Sequence, residues 1–252
     1  MRNILISMFV LSFFASCEKF WTPSVKKEDP PPSSKNQIKD GLVTNYRDDG
    51  TLYSEINYIN GVRYGLAKRY TETEALLYEI PYDSGRKHGT SKSFYEDGQI
   101  RRSTEYVYGE MHGKRYKFYT TGTVASEISY QNDMPGNDLK EYFKSGKLKT
   151  EYPELKIEFI DNSRQNGSYT LRAYFTKTPK RGEYFLGSLV DGKYFDEAGS
   201  IPMKKTAQGG VVIFSPPPGT YLMQKMEIIG KFKTARGNPL IKIATYNLAI
   251  EG

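Results

Sequence analysis

The run Gly41-Leu-Val-Thr-Asn-Tyr46-Arg-Asp-Asp-Gly50-Thr-Leu52-Tyr53-Ser-Glu55-Ile-Asn-Tyr58-Ile-Asn-Gly61 decides how this chain is read, because it returns every 24 residues. Its first aromatic recurs as Tyr46, Tyr70, Phe94, Phe118 and Tyr142, and its aliphatic as Leu52, Leu76, Ile100, Val124 and Leu148. The opening glycine recurs as Gly41, Gly65, Gly89 and Gly113 and gives way to Asn137. A tyrosine follows at Tyr58, Tyr82, Tyr106 and Tyr130, then a second glycine at Gly61, Gly85 and Gly109 with Asp133 in the fourth place. A fixed period of this length marks stacked units, none of which can bury an apolar face alone.

Each unit reads as a hairpin. Asp49-Gly50, Asp97-Gly98, Thr121-Gly122 and Ser145-Gly146 are turn signals, and only the second unit departs, with Glu74 in the glycine's place. In the strand that follows, Leu52, Ser54, Ile56 and Tyr58 alternate with Tyr53, Glu55 and Asn57. That period of two predicts an antiparallel sheet buried on one side. The fold class expected is all-β: a hairpin meander over residues 40–154, then a smaller domain over 155–252.

These units resemble the variant class of the MORN repeat, of the form G-x4-Y-x3-G-x-L-x2-E-x2-Y-x2-G, over roughly residues 41–154. Bacterial proteins with such repeats are often grouped as YwqK-type antitoxin components. The resemblance implies partner binding rather than catalysis. The tryptophan common in eukaryotic MORN units is missing from these.

Ahead of the repeat, Met1-Arg2-Asn3 and the apolar run Ile4–Ser16 read as a secretory leader, since a membrane span needs about 20 apolar residues. Phe14-Ala15-Ser16-Cys17 resembles the lipobox of bacterial lipoproteins, which implies cleavage after residue 16 and a diacylglycerol on Cys17. Acyl chains contribute about 0.8 kcal/mol per buried CH2, so two or three of them anchor a protein stably. Residues 17–39, with Pro30-Pro31-Pro32-Ser33-Ser34, read as an extended tether. The address expected is a bacterial cell envelope, lipid-anchored, with Glu18 pointing towards an outer membrane.

Beyond residue 155 the period is lost. Leu155–Ile160, Ser168–Phe175, Gly210–Phe214, Tyr221–Met223 and Ile241–Tyr246 read as strands separated by turns such as Asn166-Gly167 and Asp191-Gly192. Short strands at this spacing suggest a small β-sandwich. This part carries 14 basic against 8 acidic residues, whereas residues 41–154 carry 16 against 17.

The 252 residues hold one Cys and two His, which exclude a disulfide framework and multi-Cys metal sites and leave little room for zinc catalysis. His88 and His112 share a repeat position but lack further ligands, so no metal and no cofactor is expected. No nucleophile elbow, phosphate loop or dinucleotide fingerprint is present. Glu55, Glu79, Glu127 and Glu151 share a position that suggests cross-strand pairing, with residues such as Arg69 and Lys117, rather than acid–base work. Tyr53, Tyr95 and Tyr119 fall outside the repeat's core positions and, with Glu55, Glu79 and Glu127, form the expected binding face. The function expected is a non-catalytic protein-interaction platform at the envelope. An antitoxin-like neutraliser of one toxin is the alternative, and a glycan-binding or glycan-acting protein the third. The partners expected are an unidentified protein and, through the lipid, a membrane; nucleic acid is not among them, and the oligomeric state is left open.

Overall fold

The computed structural model describes residues 38–177 and 181–252. The leader 1–16, Cys17 and the tether as far as residue 37 lie outside the described residues. Within them the protein is all-β apart from one helical turn, Ser163–Asn166.

The repeat forms a twelve-stranded antiparallel sheet. Its strands are β1 (Gly41–Tyr46), β2 (Leu52–Ile59), β3 (Val62–Arg63), β4 (Gly65–Tyr70), β5 (Leu76–Asp83), β6 (Arg86–Lys87), β7 (Gly89–Phe94), β8 (Ile100–Val107), β9 (Glu110–Phe118), β10 (Val124–Gln131), β11 (Met134–Pro135) and β12 (Lys140–Glu141). The order is β1-β2-β4-β5-β7-β8-β9-β10-β11, so each strand pairs with its chain neighbours; β3, β6 and β12 attach to β2, β5 and β10.

The period is a period of hydrogen bonds. In each turn the N–H of Gly50, Gly98, Gly122 or Gly146 donates to the carbonyl three residues back, at 2.9–3.0 Å. Glu74 does the same at 3.1 Å, taking the left-handed φ of 59° that glycine would adopt freely. Its carboxylate also accepts the Leu52 N–H of the previous hairpin at 2.7 Å, an added bond that offsets the strain. The second glycine has a different task. Gly61, Gly85 and Gly109 donate to the carbonyls of Lys39, Arg63 and Lys87 at 2.8–2.9 Å, and Asp133 keeps that bond to Met111 at 3.0 Å with φ of 65°. Since the Lys39 carbonyl is the first acceptor, the periodic structure already includes a residue read from the sequence as tether.

The expectation of one buried face needs correction. Of Leu52, Ser54, Ile56 and Tyr58 only Ser54 is buried. Among the described residues no second layer covers the first three hairpins, and side chains on both faces half-cover one another. A true core begins where Ile128, Tyr130 and Leu139 meet the C-terminal part.

That part consists of two four-stranded sheets. One has the order β13 (Leu155–Asn162), β14 (Ser168–Phe175), β18 (Gly209–Phe214), β17 (Lys204–Thr206). The other has β16 (Ile201–Pro202), β15 (Glu183–Leu186), β19 (Tyr221–Lys233), β20 (Pro239–Glu251). Their inner faces bring Leu171, Ala173 and Phe175 against Met226, Ile228, Phe232, Leu240 and Leu248, which is the packing of a sandwich. All five strands read from the sequence are present. The last two are longer than expected, a pair of 13-residue strands whose polar halves hid their extent.

The same core includes Ile128 and Tyr130 of β10, so repeat and sandwich are packed together. Glu141 closes the joint. Its side chain, 1% exposed, accepts from Thr234 Oγ1 and Asn238 Nδ2, both at 2.7 Å, across the β19–β20 turn. Lys149 Nζ adds an ion pair at 3.3 Å.

Candidate interaction faces of the repeat sheet

Residues directly opposite one another in an antiparallel sheet share a face. Two rows therefore run across the hairpins, one on each side. The first is Glu55–Lys68–Glu79–Lys92–Ser103–Tyr116–Glu127–Lys140. Glu55, Glu79 and Glu127 thus stand opposite lysines or Tyr116. The pairing suggested with Arg69 and Lys117 is displaced by one residue in register, which puts those two cations on the other face. Glu127 has Lys140 at 3.1 Å and accepts from the Tyr142 hydroxyl at 3.0 Å. Three units earlier Tyr70 makes the same bond, donating to Glu55 at 2.7 Å, and burial followed by this carboxylate pushes the Tyr70 hydroxyl up to about 12. Where Phe94 and Phe118 replace the tyrosine, this bond is not available. In this row Glu127 is ion-paired and Glu55 hydrogen-bonded, while Glu79 stands opposite Lys68 and Lys92 in the ladder.

The candidate tyrosines are engaged in the same way. Tyr95 donates to the Phe118 carbonyl and Tyr119 to the Tyr142 carbonyl, each at 2.7 Å. Arg47, at the same repeat position, donates to the Tyr70 carbonyl at 2.7 Å. These bonds clasp each hairpin to the next, so the hydroxyls of Tyr95 and Tyr119 are committed within the sheet. Tyr53 sits between two guanidinium groups, Arg69 at 4.8 Å and Arg47 at 5.2 Å from its ring.

The opposite face is different. Its central row is Asn45–Ser54–Arg69–Tyr78–Ser93–Arg102–Lys117–Ser126–Glu141. Beside it the in-phase tyrosines alternate with cations. Lys39 stands over Tyr58 at 5.3 Å, Arg63 over Tyr82 at 5.5 Å and Lys87 over Tyr106 at 5.0 Å, each pair 24 residues from the last. In the fourth unit Met111 takes the cation's place and Arg115 lies over Tyr130 at 4.5 Å. Cation–π contacts of this kind contribute about 0.5–1 kcal/mol at exposed sites and more when desolvated.

Among the described residues, no carboxylate lies within ion-pair distance of Lys87, Arg102, Arg115 or Lys117. Burial, then Arg115 and Arg102, pushes the Lys117 ammonium down to about 8. Burial and Arg102 likewise lower Lys87. This is a half-buried, uncompensated patch of positive charge edged by tyrosine rings. It lies next to the sandwich, since Lys117 Nζ donates to the Arg236 carbonyl of the β19–β20 turn at 2.8 Å. Reading the sequence for off-phase tyrosines missed it. The signal was there in the row itself, where Arg102 and Lys117 replace the Ser54 and Asn45 of the first unit.

The two histidines do not converge. His88 packs on Tyr108 with ring centroids 4.8 Å apart, and His112 Nδ1 lies 3.3 Å from Asn132 Oδ1. Among the described residues no three His, Cys, Asp or Glu side chains come together as a metal site.

A family model described as the MORN repeat variant matches residues 39–60, 87–108 and 111–132, less than half of the chain. The hairpin containing Glu74 lies between matched stretches and carries the same periodic bonds. MORN repeats are generally associated with protein or membrane interaction. No curated protein matches the chain.

Proposed function

We propose that this chain is a lipid-anchored protein of a bacterial cell envelope whose repeat sheet acts as a non-catalytic platform for a protein partner. The observation that carries this reading is the asymmetry of the two faces. One places its glutamates opposite lysines or Tyr116 in the ladder, while the other leaves Lys87, Arg102, Arg115 and Lys117 without a carboxylate within ion-pair distance. A half-buried cation without a partner costs the fold free energy. An acidic partner surface would offset that cost and gain the flat contact area of Tyr58, Tyr82 and Tyr106. The anchor at Cys17 and the tether to residue 37 would hold this face at a distance from the lipid.

The test is affinity capture from envelope membranes with residues 38–252 as bait, beside a bait carrying Arg102→Gln and Lys117→Gln. A protein retained by the first and lost from the second supports the platform. A set of captured proteins unchanged by the double substitution refutes it. A single stoichiometric partner that is toxic when expressed alone would narrow the function to the antitoxin-like form.

A further inference from the structure

Arg102 and Lys117 are directly opposite each other in the β8–β9 ladder, where side chains start about 5 Å apart at Cβ. Like charges in that position destabilise a sheet, and elsewhere along the row each cation faces a serine, tyrosine or small polar residue instead. Arg115 lies one row over, opposite Thr104, and its Nε is buried with no hydrogen-bond partner. The Ser93 hydroxyl, on the strand beside Arg102, is also buried and unpartnered. Glu141, on the same row beyond Ser126, is committed to Thr234, Asn238 and Lys149 and does not neutralise the pair. On the other side the Arg236 carbonyl takes one Lys117 proton, which leaves two.

We propose that the Arg102–Lys117 pair, with Arg115 beside it, is a subsite for a tetrahedral dianion of the phosphate-monoester class. Two donor forks and an ammonium supply more hydrogen bonds than one carboxylate can accept, and a dianion offsets more of the clustered charge than a monoanion does. The inference rests on reading this face as the binding face, and it adds the chemistry of what is bound at its most basic point.

The experiment follows the thermal midpoint of residues 38–252 during titration with sodium phosphate and sodium sulfate, with sodium chloride at matched ionic strength as control. Phosphate or sulfate should raise the midpoint saturably, as a ligand bound to the native state does, while chloride should not. Lys117→Met, which keeps the apolar stem, should raise the midpoint in chloride by relieving repulsion and weaken the anion response at least tenfold. Arg102→Gln should weaken it similarly. Identical responses to the three salts, or a phosphate response unchanged in Lys117→Met, would overturn the subsite. A Lys117→Met protein less stable in chloride would overturn the repulsion on which it stands. Vesicles of phosphatidylcholine with and without phosphatidic acid then separate the sources. Sedimentation dependent on phosphatidic acid and on Lys117 places the oxyanion on a lipid headgroup; its absence, with the free-ion response intact, places it on a soluble ligand. Loss of the ion response with partner capture still dependent on Arg102 and Lys117 would remove the subsite and leave the platform standing.

Discussion

Replacing Glu141 with alanine should cost the protein about 3–5 kcal/mol, the range for removing one partner of a buried charged network. The structure supplies the terms. Two short bonds, from Thr234 and Asn238 at 2.7 Å, end on one carboxylate oxygen, and bonds to a charged acceptor contribute about 1.5–3 kcal/mol each. The Lys149 ion pair at 3.3 Å adds less, because Lys149 is 29% exposed. Set against this is the desolvation of the carboxylate, which alanine relieves. Burial works against the ionised form, but the bonds from Thr234 and Asn238 and the charge of Lys149 prevail and hold Glu141 below the usual carboxylate range. Alanine leaves Asn238, with no exposed surface, and Thr234, 6% exposed, without their acceptor. Glu141→Gln keeps an acceptor oxygen and loses the charge, so about half the penalty is expected. The assay is urea unfolding of residues 38–252 followed by near-ultraviolet tyrosine dichroism, since the sole tryptophan, Trp21, is not among those residues. A loss below about 1 kcal/mol at unchanged m-value would refute the view that this network locks the sandwich to the repeat.

Three further outcomes follow from the same structure. Tyr119→Phe removes the hydroxyl that clasps the Tyr142 carbonyl and should cost about 0.5–1.5 kcal/mol; Tyr95→Phe should match it, with the double variant close to additive in urea titrations. Gly61→Ala places a Cβ at φ of 81° and should destabilise by about 1 kcal/mol or more, read as a lower urea midpoint. Stability should rise between pH 8 and 10, because Lys117 titrates near 8 in the folded state and near 10.4 unfolded, so the unfolded chain binds the extra proton there. Partial exposure limits the gain to on the order of 1–2 kcal/mol. Lys87, also lowered, adds the same sign, while the raised tyrosines Tyr70, Tyr106 and Tyr130 oppose it above pH 10. A urea midpoint that is flat or falling from pH 7.5 to 9.5, or a rise undiminished in Lys117→Met, would refute this.

The first four hairpins, the turns and the meander order were legible because each is a local rule repeated at a fixed interval; the fifth unit keeps its turn but closes only through an isolated bridge between Tyr142 and Leu148. Even the departures keep the rule: Glu74 and Asp133 hold the left-handed backbone and make the bond that a glycine makes elsewhere. Burial was not legible in the same way. Alternation of Leu52, Ser54, Ile56 and Tyr58 states which residues share a face, but whether that face is covered depends on a layer supplied by residues far along the chain. Here the cover arrives only at Ile128 and Tyr130. The one-residue displacement between Glu55–Lys68 and the neighbouring Ser54–Arg69 pair shows the same limit from the side of charge. Composition allowed either lysine or arginine as the partner, and only the register decides which cations are neutralised.

The candidate tyrosines illustrate why departure from a repeat is an ambiguous signal. Tyr95 and Tyr119 stand off the apolar phase, yet they recur at a position whose side chain bonds to the next hairpin, as Arg47 does in the first. A residue out of one phase can be in another. Arg102 and Lys117 belong to neither: at the first position the other units carry Ser54, Tyr78, Ser126 and Thr150, at the second Asn45, Arg69, Ser93 and Glu141, and only here do two cations face each other. In a sheet held together by identical bonds in every unit, stability selects for sameness along a row. A like-charged pair opposing that trend, in the third and fourth of the five units, is what a counter-charge from outside the sheet would offset. That pair, rather than the tyrosines, is the reason to place the binding face on this side.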